Sequence, residues 1–226
     1  MNIMKVTKDK VALFDFCDTL VSFQTANEYV RFYVKNYASL KVKIRHMLYL
    51  FLSISGILDK LELKSEDQSV RKRMLLWQLK GSSRTKMELV AKEFYQRCIK
   101  PRTINETLLE LKRKQSDNWR IYIVSGGYDI YINLFAKDYG IELSNVVSNH
   151  LLFENGFFLG KYDLNCMGNE KVKLLNNKIN RENSLVIAYS DSISDLPMLN
   201  WADEAYVVAP YTFAKRYNFH ELRFLL

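Results

Sequence analysis

The sequence contains few of the residues that cross-link small secreted domains or bind transition metals. Its 226 residues include only three cysteines and three histidines. The cysteines lack the spacing of a zinc site, and their odd number argues against a disulfide framework, which indicates a reducing compartment. The histidines are scattered along the chain, so the sequence supports neither a histidine metal site nor a Ser-His-Asp triad.

Long apolar runs are also missing. No stretch approaches the roughly 18 apolar residues of a membrane-spanning helix, and the first residues are too polar for a signal peptide. We therefore expect a cytoplasmic protein. Hydrophobic residues make up 48% of the chain, which is enough for a buried core and argues against disorder.

Three apolar segments, at residues 11–14, 121–124 and 185–189, each run into residues that suit phosphate chemistry. Asp15, Ser125 and Asp191 follow these segments, and Asp195 lies four residues beyond Asp191. Uncharged β-branched runs of this length predict strands of a parallel sheet that are buried on both faces. Ligands bind outside the carboxyl ends of such strands, and carboxylates there suit a phosphate bound with Mg²⁺.

These residues resemble the motifs of the haloacid dehalogenase-like phosphatases, with the best fit to the phosphoserine phosphatase subgroup. In the order of the family's four motifs, the matching residues are Asp15 with Thr19, Ser125, Lys171, and Asp191 with Asp195. Their order and spacing fit the family over nearly the whole chain. Two segments, Gly168–Val172 and Tyr189–Ser192, are also similar to type C bacterial phosphatidylglycerophosphate phosphatases.

The apolar segments and the resemblance together predict an α/β fold. We expect a Rossmann-like three-layer core with a mostly parallel sheet, plus an inserted all-helical cap. Residues 1–20 and 119–226 would form the core, and residues 21–118 the cap. The resemblance implies Mg²⁺-dependent hydrolysis of a small or lipid-linked phosphate monoester through an aspartyl-phosphate, and no nucleic-acid partner is expected.

The resemblance also implies roles for individual residues. The implied catalytic residues are Asp15, Cys17, Ser125 and Lys171. The implied substrate contacts are Thr19, Ser125, Gly126, Gly127 and Lys171. The implied Mg²⁺ ligands are Asp15, the main-chain carbonyl of Cys17, Asp191 and Asp195, of which the last would orient Lys171 or a metal-bound water.

Cys17 departs from the family pattern. The family usually has a second Asp here, which works as general acid and base. Moving the register to use Asp18 instead would break the Asp-x-Asp spacing and lose Thr19. Cys17 therefore keeps a second hypothesis open, namely a protein that binds or senses a phosphorylated ligand and has impaired turnover.

The predicted cap is helical and basic. Residues 21–118 contain 20 Lys and Arg against 10 Asp and Glu. This balance fits either an ordinary solvated surface or an electrostatic funnel for an anionic substrate. Helices are predicted from about residue 26, at 40–58, at 70–80 and at 85–98, and a last one begins with a capping box formed by Thr103 and Glu106.

Residues 41–58 combine a basic start with a twelve-residue uncharged run from Met47 to Leu58. The run is too short to span a bilayer and favours a core helix of the cap. Its basic flank also fits an interfacial helix at an anionic membrane surface. The second interpretation would place the protein peripherally at the inner face of the membrane.

Further along the chain, Asn155-Gly156 between aromatic segments predicts a β-hairpin. A helix is predicted at residues 128–139, another begins with Lys171, and a last strand is predicted at residues 205–209.

Overall fold

The structure is a computed structural model that describes residues 8–64, 70–208, 213–217 and 219–222. Its strands are β1 Asp9–Phe14, β2 Arg120–Tyr128, β3 Val146–Asn149, β4 Leu151–Glu154, β5 Phe157–Tyr162, β6 Ser184–Ser190, β7 Glu204–Val208 and β8 His220–Leu222. Its helices are α1 Thr25–Tyr37, α2 Leu40–Ile54, α3 Ile57–Lys64, α4 Val70–Trp77, α5 Arg84–Phe94, α6 Asn105–Ser116, α7 Asp129–Asp138, α8 Asn169–Asn176, α9 Leu196–Trp201 and α10 Phe213–Tyr217.

Six strands form one sheet in the order β3-β2-β1-β6-β7-β8, and every neighbouring pair is parallel. The strand β1 lies between β2 and β6, so the carboxyl ends of these three strands meet at one edge. The remaining strands, β4 and β5, form the predicted antiparallel hairpin. Its turn residues Asn155 and Gly156 both have positive φ, at 48° and 79°, as a tight two-residue hairpin turn requires.

Helices cover both faces of the sheet. On one face, Leu13 of β1 packs with Leu175 of α8 and Met198 of α9. On the other face, Phe14 lies in the same buried cluster as Phe135 of α7. Because successive strand residues point to opposite faces, an uninterrupted apolar strand needs this double cover. The predicted three-layer α/β class is therefore confirmed.

Four rings form a ladder across the sheet at one register level. Phe14, Tyr189, Tyr206 and His220 are partners on β1, β6, β7 and β8. The centroids of successive rings lie 4.4, 5.1 and 5.0 Å apart, and each pair is stacked. Since Asp15 directly follows Phe14, this ladder fixes the spacing of the strands just before the acidic edge.

The helices α1–α5 lie in the insert between β1 and β2. The predicted cap range 21–118 also includes α6, which packs against β2. The range itself stays a prediction. None of the helices in the described part of the chain is long and apolar enough to cross a membrane.

Three local predictions in this region are wrong. The helix predicted at 40–58 is interrupted by a turn at Ser55 and Gly56, where Gly56 has a φ of 71°. The capping box at Thr103 does not form, because the N-cap of α6 is Ile104 and the Thr103 hydroxyl donates to preceding carbonyls. The core interpretation of residues 41–58 fails for α2, in which only Val42 is buried. Residue 209 of the predicted last strand lies outside the described residues.

Candidate active site

A pocket of about 330 Å³ lies at the carboxyl edge of the sheet, beside β1, β2 and β6. Eight of the nine sequence-predicted site residues line it: Asp15, Cys17, Ser125, Gly126, Gly127, Lys171, Asp191 and Asp195. They come from four separate parts of the chain. The parallel topology brings them together because every parallel strand ends at the same edge.

Lys171 joins two carboxylates at the floor of the pocket. Its Nζ donates to Asp15 Oδ1 at 2.8 Å and to Asp195 Oδ2 at 2.6 Å, and all three side chains are buried. The Asp195 carboxylate also accepts a hydrogen bond from the Ser190 hydroxyl at 2.7 Å. Burial disfavours the charged form of Lys171, but Asp15 and Asp195 outweigh it and raise the pKa of the amine above its usual range. Lys171 is therefore a fixed positive charge at neutral pH.

Asp15 has the opposite balance. Burial raises the pKa of its carboxyl group to about 7, against the lowering effect of Lys171, while Asp195 and Asp191 raise it further. A pKa this high means that the positive charge of Lys171 does not fully compensate for the burial of the Asp15 carboxylate and for its acidic neighbours. A cation bound beside Asp15 would add the missing positive charge.

The ion pair gives a test of stability. We expect Lys171→Met to lower the free energy of unfolding by about 3–5 kcal/mol at neutral pH, because Asp15 and Asp195 would lose their shared cation while still buried. The deficit should shrink as the pH is lowered and the Asp15 carboxyl group takes up a proton. Denaturant unfolding at several pH values measures both effects.

Lys173→Met is the matched control, because Lys173 lies on the same helix with its side chain 69% exposed and pairs with Glu170. We expect it to change stability by less than about 0.5 kcal/mol. Equal losses in the two variants would contradict a structural role for the Lys171 ion pair.

Thr19 is the predicted site residue that the pocket wall lacks. It is fully buried beside Asp191, where its hydroxyl donates to Asp191 Oδ1 at 2.9 Å and accepts from the Asp191 N–H at 3.0 Å. Thr19 therefore holds Asp191 from behind the pocket wall, and its predicted substrate contact stays a prediction. Burial raises the pKa of the Asp191 carboxyl to about 6, and the Thr19 hydroxyl opposes that rise.

Cys17 sits in a polar network. Its Sγ lies 3.1 Å from Thr25 Oγ1, which in turn lies 3.0 Å from the Tyr131 hydroxyl. Burial, and then the nearby Asp15, raise the pKa of the thiol to about 12. At neutral pH the group is a thiol and cannot accept a proton.

Asp18 lies off the pocket wall. It has a positive φ of 54°, and its carboxylate accepts a hydrogen bond from Gln24 Nε2 at 2.6 Å. This placement agrees with the register in which Cys17, and not Asp18, occupies the second position of the first motif.

Two glycines form a close backbone surface beside Asp15. A Cβ on Gly127 would lie 2.9 Å from Ile132 Cδ1, and one on Gly126 would lie 3.0 Å from Met167 Cγ. At both positions the contacting atom belongs to a side chain, so a larger residue would fit only if Ile132 or Met167 shifted. In the described state, the Gly127 N–H donates to Ser125 Oγ at 3.0 Å.

Residues of the insert complete the pocket, and sequence reasoning missed them. The added wall residues from α1 and its N-cap, α2 and α4 are Gln24, Ala26, Asn27, Tyr49, Arg71 and Lys72. Lys72 donates to the Gly126 carbonyl and lies over the Tyr162 ring at 5.2 Å. Burial lowers the pKa of its amine to about 8. The three consecutive basic residues at 71–73 indicate a charged surface in the sequence. Which of their side chains reach the pocket depends on how α4 packs.

The donor set fits a hard divalent cation. Within the described ranges, no three or more His, Cys, Asp or Glu side chains form a metal-binding group. Two buried carboxylates, Asp15 and Asp191, nevertheless lie close enough for Asp191 to raise the pKa of Asp15. Mg²⁺ commonly takes only one or two protein carboxylates, with other oxygen ligands from water and phosphate. The residues present therefore suit Mg²⁺ better than a metal that needs nitrogen or sulfur ligands.

Comparison with known proteins agrees with this chemistry. The family model described as haloacid dehalogenase-like hydrolase matches residues 12–200. A curated phosphoserine phosphatase from Lactococcus lactis subsp. lactis (strain IL1403) is 33% identical over 141 residues, which are 60% of this chain and 59% of that protein. One from Drosophila melanogaster is 28% identical over 106 residues, covering 43% of this chain and 38% of that protein. The matches thus span less than two thirds of the length of each of these two relatives.

The fold has solved counterparts. A protein with unknown function from Bordetella pertussis Tohama I superimposes with a TM-score of 0.78 over 96% of this chain and 99% of that chain. The two sequences are 16% identical, so this likeness concerns the fold.

Proposed function

This chain belongs to the haloacid dehalogenase-like hydrolases, and we propose on that basis that it is a phosphatase acting on phosphate monoesters. The observation that carries the proposal is the buried Asp15–Lys171–Asp195 chain of ion pairs at the floor of the pocket. It holds one carboxylate oxygen of Asp15 toward Lys171 and leaves the other for a reaction. The names of the curated relatives favour this function over the binding or sensing hypothesis.

In the proposed mechanism, Asp15 attacks the phosphorus atom of the substrate. A bond forms between the free Asp15 oxygen and phosphorus, the ester bond breaks, and the leaving oxygen takes up a proton from solvent. Water then attacks phosphorus and gives a proton to solvent, the bond between phosphorus and the Asp15 oxygen breaks, and inorganic phosphate leaves with the Asp15 carboxylate restored. An anionic nucleophile and an anionic phosphate repel each other, so fixed positive charge is needed on both.

The chain's own residues supply part of that charge and all of the positioning. Lys171 would neutralise Asp15 and a phosphoryl oxygen, and Asp195 with Ser190 would keep its amine in place. Ser125 and the N–H groups of the glycines after it would bind the other phosphoryl oxygens. Bound Mg²⁺, held by Asp15, Asp191 and the Cys17 carbonyl, would add the remaining positive charge.

The pocket favours a small substrate with a second polar or anionic group. Its volume of about 330 Å³ is at the lower end of ligand pockets, so the acyl chains of a lipid phosphate would have to remain outside. On the wall from the insert, Lys72 adds positive charge, Asn27 adds an amide, and Arg71 is paired with Asp59. A phosphorylated amino acid or hydroxy acid matches this wall, in line with the names of the relatives.

A panel of phosphate monoesters tests the proposed function. The purified protein should release phosphate in the presence of Mg²⁺, and a chelator should abolish release until Mg²⁺ is restored. Phosphoserine, other small phosphate esters and a lipid phosphate in detergent distinguish the substrate classes. Tight binding of phosphate esters without turnover of any of them would contradict the phosphatase assignment and favour the sensing hypothesis.

Lys72 gives a sharper test of the substrate wall. We expect Lys72→Met to lower kcat/KM for a doubly anionic substrate roughly 10- to 100-fold, the usual loss for a hydrogen bond to a charged group. In the unmodified protein, kcat/KM should fall as the pH rises through about 8, because Lys72 then loses its proton. Lys72→Arg keeps a charge above that pH and should remove this decline.

The control is Lys92→Met, because Lys92 is exposed on α5 and does not line the pocket. It should leave kcat/KM close to that of the unmodified protein. A decline near pH 8 that persists in Lys72→Arg would assign the titration to another group.

A further inference from the structure

Helix α2 has an inner and an outer face of different character. The inner face carries the buried Val42, together with His46 and Tyr49. The outer face is apolar and exposed, and its members are Leu40, Ile44, Met47, Phe51 and Ile54. Their exposed fractions run from 61% for Ile44 to 86% for Ile54. Their spacing of three or four residues places them on one side of the helix.

The apolar surface continues beyond α2. Ile57 and Leu61 of α3 are also exposed, and they are one helical turn apart. Of the sixteen large hydrophobic side chains that are exposed in the described residues, nine lie between residues 40 and 61. Scattered exposed leucines are normal, but a concentration of this kind in one segment marks an interaction surface.

The fold prevents α2 from turning its apolar side inward. His46 Nδ1 lies 2.7 Å from Gln78 Oε1, and Arg45 donates to the Lys80 carbonyl. The Arg45 guanidinium also lies over the Trp77 ring at 5.4 Å. These contacts tie the inner face to α4 and the turn that follows it, so the outer face stays exposed in the isolated chain.

We propose that the outer face of α2, continued by α3, docks this protein on an anionic lipid surface. This inference goes beyond the proposed function and does not depend on it. A helix with one apolar face and basic margins lies in the plane of a membrane with its apolar face in the headgroup and acyl boundary. The sequence of α2 has no acidic residue at all.

The charges on α2 indicate which partner binds its outer face. At 100° per residue, Lys43 and Lys41 lie on opposite sides of the outer face, and both are exposed. Lysines in these places keep their amines at the headgroups while their stems cover apolar surface. A second copy of the chain that packed parallel on the same face would bring the lysines of both copies together, which like charges oppose. An anionic bilayer complements both the apolar face and its margins.

Docking would also fix where the pocket lies. Tyr49 lines the pocket from the inner face of the helix whose outer face would meet the lipid. The thickness of one helix, about 10 Å, therefore separates the two. The proposal thus places the pocket beside the lipid surface without inserting it.

Vesicle binding tests the proposal. The full chain should sediment with vesicles of phosphatidylcholine and phosphatidylglycerol, and more weakly with phosphatidylcholine alone. The double variant I44Q/F51Q should bind the anionic vesicles at least tenfold more weakly. The matched control is L89Q/L109Q, which changes two leucines that are 52% and 65% exposed elsewhere on the surface. The control should bind as the unmodified protein does.

A charge variant isolates the electrostatic part. K41Q/K43Q should weaken binding to the anionic vesicles by about fivefold for each lysine and should hardly affect binding to neutral ones. All of these variants should keep the circular dichroism and the thermal unfolding transition of the unmodified protein, which shows that they fold.

Two results would overturn the proposal. One is an unmodified protein that does not bind anionic vesicles at low salt. The other is a dimer in sedimentation equilibrium that I44Q/F51Q converts to monomer, because the outer face would then be covered by a second copy.

Discussion

Asp15→Asn should lower kcat on the order of 10⁵-fold, the size of loss that follows removal of a nucleophile from an assembled site. The amide keeps the shape of the carboxylate but cannot form the bond to phosphorus. Lys171 keeps Asp195 as its ionic partner, so the floor of the pocket should stay in place. Steady-state phosphate release measures the loss of kcat, and the thermal unfolding transition of the same sample shows whether the fold is intact.

The same substitution should leave the protein at least as stable at neutral pH. Burial raises the pKa of Asp15 from 3.8 to about 7, which means that the folded state disfavours its charge and the unfolded state does not. Above the unfolded pKa this difference costs stability, and Asn removes the cost. A higher melting temperature with no activity would show that the site was built for reaction at the expense of stability.

Asp18→Asn is the matched control for Asp15→Asn. Asn tolerates the positive φ of residue 18, and its amide oxygen can still accept the hydrogen bond from Gln24. Activity should stay close to that of the unmodified protein. If Asp18→Asn were as damaging as Asp15→Asn, the register of the first motif would have to be moved by one residue.

Cys17→Asp should raise the turnover of alkyl phosphates by about 10²- to 10⁴-fold, the usual contribution of a general acid and base. The present thiol, with its pKa of about 12, neither protonates a leaving alkoxide well nor accepts a proton from water. Aryl phosphates depart as stable phenolates and need that proton less. They should therefore show a burst of phenol release followed by slow turnover in the unmodified protein, and Cys17→Asp should speed only the slow phase.

Cys17→Asn is the control, because it has the shape of Asp without an ionisable group. It should not raise turnover of either substrate class. Stopped-flow measurement of the burst and the steady state separates the two chemical steps. Equal losses for alkyl and aryl substrates in Cys17→Asp would show that the thiol suits its own substrate and that the family comparison misjudges it.

The core of the site could be predicted because strand ends are visible in the sequence. Asp15, Ser125 and Asp191 each follow an uncharged strand, and a parallel sheet has only one edge where such residues can meet. The Asn155-Gly156 turn was equally readable, since few residues adopt positive φ. At the strand ends and at the turn, the residue type favoured by the local backbone is also the one that the overall fold requires.

The wall from the insert could not be predicted in this way. Lys72 and Tyr49 reach the pocket only because α2 and α4 pack over the sheet, and helical periodicity does not say which neighbour a face will meet. For the same reason, the apolar run in α2 predicts a core helix although the fold leaves its outer face exposed. Thr103 is a local example of the same difficulty. Its hydroxyl donates to preceding carbonyls and does not cap α6.

The ring ladder of Phe14, Tyr189, Tyr206 and His220 provides a spectroscopic signal close to the acidic edge of the sheet. Stacked aromatic rings held in one asymmetric arrangement give circular dichroism in the near ultraviolet, and this signal disappears when tertiary packing is lost. The rings of Tyr189 and Tyr206 lie within 16° of parallel. Tyr189 directly precedes Ser190, at the start of the acidic loop. The ladder should therefore contribute to the near-ultraviolet dichroism of the folded protein together with the other buried rings, and loss of the strand register under the carboxylates should change that signal without any substrate.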